Sequence, residues 1–242
     1  MGVVIGARHS QGRAQAEVLP RPDAVLLDVD GTLVDSNYLH VQAWSRACLD
    51  VERAVPSWRV HRAIGMDSTK LVSALLGDDA HRLGHRVKAR HAEHYQDLSG
   101  LLQPLPGARE LVHALSSAGV EVVLATSASP DELERLRSVL DIDVDLTAVT
   151  DADDVATAKP APDIVSVALA RAGVGAERAL FVGDATWDVE AAGKAGVPCV
   201  AVRTGGVGVD ELRTAGAAGV YDDAADLLAA VSRDPVTWLR LA

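Results

Sequence analysis

The chain has 242 residues, 48% of them hydrophobic and 24% charged, which is ordinary for a soluble globular protein with a sizeable core. With 34 acidic against 23 basic residues the formal net charge is −11, a field that repels nucleic acid and anionic membrane surfaces. It also repels any anionic small molecule, so a phosphate-bearing ligand needs local positive charge or a metal. No apolar run approaches the length of a membrane span. Cys48 and Cys199 lie far apart, outside any CxxC pattern, and are read as reduced thiols of a cytoplasmic protein.

In chain order, residues 1–22 mix Arg, Gln, Gly and Pro without periodicity and read as a flexible leader. Ala24-Val-Leu-Leu-Asp-Val is a short continuous apolar run ending in carboxylates, the signature of a buried parallel strand. From Asn37 to Leu102 the pattern is helical, rich in His and Arg, and closes at Gln103-Pro-Leu-Pro-Gly107. Helical segments are then expected over 108–118, 131–140, 162–172, 186–195, 208–216 and 223–232. Strands are expected at 121–126, 146–150, 179–184 and 198–202, with a short edge strand at 219–221. The alternation predicts an α/β fold: a Rossmann-like parallel sheet flanked by helices, with a helical module inserted after the first strand. The expected division is a leader at 1–22, a core of 23–35 plus 104–242, and a helical module at 36–103.

Chemistry gathers where strands end, which in open α/β sheets is where ligands bind. The first strand runs into Asp28-Val-Asp30-Gly-Thr and the second into Thr126-Ser127-Ala128-Ser129. A loop carries Lys159-Pro-Ala-Pro-Asp, and a later strand ends in Gly183-Asp184-Ala-Thr-Trp-Asp188. A nucleophile, a hydroxyl donor, a countercharge and paired carboxylates are the parts that phosphoryl transfer requires. Singly, each has a plainer reading: an Asp at a strand end is a helix cap and a Lys is solvated.

Taken in order, the four stretches resemble the four motifs of the haloacid dehalogenase (HAD) superfamily, and the resemblance covers roughly residues 23–226. It resembles in particular the branch of phosphoglycolate phosphatases and β-phosphoglucomutases, whose members carry a helical cap between the first two motifs. The resemblance implies that Asp28 attacks phosphorus to form an aspartyl-phosphate. It implies that Asp30 is general acid and then base, its carbonyl also binding metal. Asp184 and Asp188 complete a Mg²⁺ site with Asp28 and Asp30. Thr126, with the backbone N–H groups of Ser127 and Ala128, grips the phosphoryl oxygens, and Lys159 neutralises charge. In the cap, Arg62 and Lys70 are candidate contacts to the far end of the substrate, and His40 is a candidate lining residue.

The expected activity is hydrolysis of a small phosphorylated metabolite. The alternative is a phosphosugar mutase, whose relatives carry Glu-Asp where this chain has Gly183-Asp184. Dehalogenases lack a carboxylate at the Asp30 position, and a non-catalytic binding module would have lost Asp28 or Asp184. The pairs His81/His85 and His91/His94 have zinc-like spacing but no Asp or Cys completes a set, so they read as a polar helix surface. The acidic surface fits a monomer or weak dimer.

Overall fold

The computed structural model describes residues 18–154, 159–231 and 239–240; most of the expected leader, residues 1–17, lies outside the described residues. The strands are β1 (Val18–Leu19), β2 (Ala24–Leu27), β3 (Glu121–Ala125), β4 (Ala148–Thr150), β5 (Ala179–Gly183), β6 (Cys199–Val202), β7 (Gly219–Tyr221) and β8 (Leu239–Arg240). β1 and β8 form a separate antiparallel pair. The other six form one parallel sheet in the order β4-β3-β2-β5-β6-β7. The strand order reverses at β2, so the crevice between the ends of β2 and β5 is the topological switch point where such sheets bind ligands.

The continuous apolar runs are explained by burial on both faces. Along β2, Val25 and Leu27 join one hydrophobic cluster, while Ala24 and Leu26 join another on the opposite face. β3 and β5 divide the same way, Leu124 and Val182 on one side, Val123 and Phe181 on the other. The first face is covered by α5 (Ala108–Ser117), α6 (Pro130–Leu140) and α10 (Ala224–Ala230). The second is covered by α7 (Asp163–Ala172), α8 (Thr186–Lys194) and α9 (Val209–Ala215). Leu26 and Leu27 are fully buried, each worth about 1.5–3 kcal/mol relative to exposure.

Between the first two sheet strands lie α1 (Asn37–Asp50), α2 (Ser57–Ala63), α3 (Ser68–Leu76) and α4 (Ala80–Leu98). They enclose a hydrophobic cluster of their own, including Trp44, Cys48, Val60, Leu71, Leu75 and Val87. α3 starts at Asp67, whose side chain accepts hydrogen bonds from the N–H groups of Thr69 and Lys70. The chain enters and leaves this helical module through two crossing segments. The Asp35 N–H donates to the Gln103 carbonyl at 2.9 Å and the Leu105 N–H to the Leu33 carbonyl at 2.8 Å. Val34 bridges both Asp30 and Pro104 there. No helix among the described residues is long and apolar enough to cross a membrane.

Candidate active site

Asp28 is the first residue beyond β2, its N–H tied to the Val182 carbonyl of β5 at 2.9 Å. The chain then turns through Gly31, whose φ of +74° is left-handed and open to glycine at little cost. Thr126 follows β3, and its hydroxyl accepts from the Ala128 N–H at 3.1 Å, which fixes the turn leading to α6. Asp184 follows β5. Asp188, in the first turn of α8, accepts from the N–H groups of Asp184 and Ala185 at 3.2 and 3.0 Å. A carboxylate there satisfies helix N-terminal donors and suits the positive end of the helix dipole.

These residues converge. Carboxylate oxygens of Asp28, Asp184 and Asp188 all lie within 4.8 Å of one another, and all three residues are buried. Lys159, also buried, reaches Asp28 at 2.5 Å and Asp188 at 2.7 Å, with its ammonium 5.4 Å from the Phe181 ring centre. Asp184 is held by Asn37 at 2.7 Å and Thr32 at 3.1 Å. One ammonium thus faces three buried carboxylates. Burial pushes the Asp28 carboxyl up to about 7, against the pull of Lys159. Asp184 is raised well above the usual carboxylate range by burial and by its neighbours Asp188 and Asp28. An excess of buried negative charge on hard oxygen donors fits a divalent cation such as Mg²⁺.

Two glycines shape this cluster from the other side. A Cβ on Gly205 would stand 1.8 Å from Asp184 Oδ2, and one on Gly31 would stand 2.5 Å from the same atom. A Cβ on Gly183 would meet that of Asp188 at 2.5 Å, so this position has no space for the glutamate of the mutase pattern in the present arrangement.

The Asp30 side chain stands outside the carboxylate trio. It accepts from the Ser36 hydroxyl at 2.6 Å and faces His40 Nε2 at 3.4 Å. Burial, which would raise its carboxyl, is outweighed by these partners, and the pKa is lowered. His40 Nε2 also lies 3.1 Å from Glu132, and His40 Nδ1 lies 3.1 Å from His91 Nε2. Burial, which would lower His40, is overcome by Glu132 and Asp30, which push it up to about 10. His91 is driven down to about 2 by burial and by the nearby His40, so it stays neutral and accepts from His40. The rings stack, His40 on Tyr95 and His91 on Trp44, each pair with centres 4.0 Å apart.

A cavity of about 120 Å³ lies above these groups, lined at its base by Asp28, Thr126, Ser127, Ala128, Lys159 and Asp184. His40 lines it as well. Among the described residues the Ser127 hydroxyl is buried there without a hydrogen-bond partner. Arg62 is placed elsewhere: it pairs with Glu211 and lines a separate small cavity. Lys70 lies 3.5 Å from Asp67 and lines a wider outer cavity of about 600 Å³. Of the four histidines of α4, His81 and His85 are exposed. His94, by contrast, bonds Asp50 at 2.8 Å and His91 turns into the interior, which corrects the reading of all four as a polar surface.

Asn37, Thr32, Glu132 and Trp44 were not singled out by sequence, and His91 was noted only for its spacing to His94. Two signals were available: Glu132 stands in the first turn of the helix that follows Thr126-Ser-Ala-Ser, and His40/Trp44 and His91/Tyr95 each repeat at i,i+4.

A parallel α/β sheet with a carboxylate pair after its first strand, capped by inserted helices, defines a class of hydrolytic enzymes. The haloacid dehalogenase-like hydrolase family model matches residues 22–196, and the chain belongs to that family. It is 31% identical over 217 residues to a phosphoglycolate phosphatase of Rhodospirillum rubrum, covering 85% of this chain and 89% of that one. It is 32% identical over 180 residues to a phosphorylated carbohydrates phosphatase of Thermotoga maritima, covering 72% and 82%. A solved structure of a hydrolase from Pseudomonas syringae matches with a TM-score of 0.81 at 33% identity, covering 85% of this chain and 96% of that one.

Proposed function

We propose that the chain is a Mg²⁺-dependent phosphatase that hydrolyses a small phosphorylated metabolite through a phosphoaspartate on Asp28. The observation that carries this reading is the Lys159–Asp28 pair at the base of the cavity, with a second carboxylate, Asp30, two residues away but separately partnered. Relatives named as phosphatases over most of the chain support it.

In this reading Asp28 attacks phosphorus, and Lys159 lowers the repulsion between that carboxylate and an anionic phosphoryl group. Thr126, with the N–H groups of Ser127 and Ala128, binds the phosphoryl oxygens. Asp30 delivers a proton to the departing alcohol oxygen and later takes one from the attacking water; its contacts with Ser36 and His40 fix the place of its carboxyl group. The Asp28 and Asp184 carboxylates and the Asp30 carbonyl would hold Mg²⁺, with Asp188 steadying the site. Mg²⁺, when bound, supplies neutralisation of charge on the phosphoryl oxygens. Residues 36–103 act as a cap that excludes water over a core of 23–35 plus 104–242.

The test is hydrolysis of an aryl phosphate with Mg²⁺ by the wild type and Asp28→Asn. The variant is expected to lose at least about 10³-fold in kcat, as removal of a covalent nucleophile does. An unchanged rate removes Asp28 from the chemistry.

A further inference from the structure

Above the phosphoryl-binding base, the described residues that line the inner cavity offer no cation that is not already paired with a carboxylate. Among the described residues lining it, Lys159 is the one side chain with a permanent positive charge, and it is shared between Asp28 and Asp188. His40 is engaged at both nitrogens: Nε2 faces Glu132 and Asp30, and Nδ1 faces His91. Glu132, its side chain only 15% exposed, places a second carboxylate beside Asp30 on this wall. The lining also has an apolar part, Trp44, Ile64, Met66 and Leu71. The additional cations, Lys70, Lys88 and Arg135, line the outer cavity and do not line this one.

An alcohol carrying a carboxylate or a second phosphate would therefore set that charge against Asp30 and Glu132, two carboxylates that share the single charge of His40, and like charges repel. A hydroxyl group can instead donate to either carboxylate, and methylene groups can pack on Trp44 and Leu71. We propose that the inner cavity selects phosphate monoesters of short, uncharged, hydroxyl-bearing alcohols and rejects esters with a second anionic group close to the phosphate. This rests on the phosphatase reading above and narrows its substrate class. Glu132 is the residue that sets the discrimination, through the charge it adds beside Asp30.

The experiment compares kcat/KM for glycerol 3-phosphate and phosphoglycolate, with Mg²⁺ present, in the wild type and in Glu132→Gln. The wild type is expected to prefer glycerol 3-phosphate by at least about tenfold, the size of an unfavourable charge contact in a partly shielded site. Glu132→Gln is expected to narrow that ratio by improving phosphoglycolate relative to glycerol 3-phosphate. Equal or faster hydrolysis of phosphoglycolate by the wild type overturns the proposal, as does activity on an aryl phosphate with none on glycerol 3-phosphate. Both leave the phosphatase reading standing. An unchanged ratio in Glu132→Gln overturns the assignment to Glu132. Hydrolysis of none of the three esters overturns the phosphatase reading itself, and the substrate class with it.

Discussion

Lys159 Nζ lies 2.5 Å from Asp28 Oδ1, joining a loop before α7 to the end of β2 across 131 positions of sequence. Both side chains are buried, and the ammonium also serves Asp188. Removing one member of such a pair leaves uncompensated charge in the interior, which costs about 3–5 kcal/mol. Lys159→Met is therefore expected to lower stability by that order in metal-free chemical denaturation, and to reduce phosphatase kcat by about 10²-fold or more, as loss of a positioned charge does. A variant as stable and as active as the wild type would separate the pair from both fold and chemistry.

The remaining excess of carboxylate charge predicts a response to metal. Asp28, Asp184 and Asp188 offer oxygens within 4.8 Å of one another. Mg²⁺ at a hundred times its dissociation constant is expected to stabilise the fold by about 2.7 kcal/mol. For a chain of this length that is a rise of roughly 5–10 °C in Tm. Asp184→Asn is expected to abolish most of the rise. Calorimetry with Mg²⁺ against a chelator reads both, and equal shifts in the two proteins would place the ion elsewhere.

The carboxylate trio and its lysine were legible because short motifs carry them. The two-residue spacing of Asp28 and Asp30 survives in any conformation, and continuous apolar runs such as Ala24–Leu27 mark strands buried on both faces. The orientation of Asp30 was not legible, since it depends on Ser36 and His40 and so on how α1 leaves the hinge. The same holds for Arg62, whose partner Glu211 belongs to a helix nearly 150 positions later. Glu132 went unremarked because an acidic residue in a first helical turn is ordinarily explained by the helix dipole. Only the seating of α1 and α4 against α6 turns it into part of the cavity wall.

Gly205 is the least conspicuous residue to carry a prediction. A methyl group there would enter the space of Asp184 Oδ2, at 1.8 Å, and reach to 3.0 Å from Asn37 Nδ2. Gly205→Ala must displace the carboxylate or the loop, an overpacking cost of about 1–3 kcal/mol. It is expected to lose the Mg²⁺-dependent rise in Tm as well. Gly100→Ala, where nothing lies within 4 Å of the added Cβ, is the matched control and is expected to keep that rise. If Gly205→Ala kept it too, the glycine would not be shaping the metal site.

His40 makes stability depend on pH in a direction that can be worked out. Burial alone would lower it, but Glu132 and Asp30 push it from its ordinary value of 6.5 up to about 10. The folded state therefore binds this proton more tightly than the unfolded chain. The stabilisation is complete below about pH 6.5 and is lost as the pH rises toward 10. His40→Gln cannot carry the charge, so its deficit against the wild type is expected to be about 2 kcal/mol at pH 6, the size of a charged hydrogen bond. The deficit should shrink steadily between pH 7 and 10. Chemical denaturation of both proteins across that range, without metal, checks the difference. A deficit that stays constant, or grows with pH, would mean that His40 is held by its stacking on Tyr95 and not by its two carboxylates.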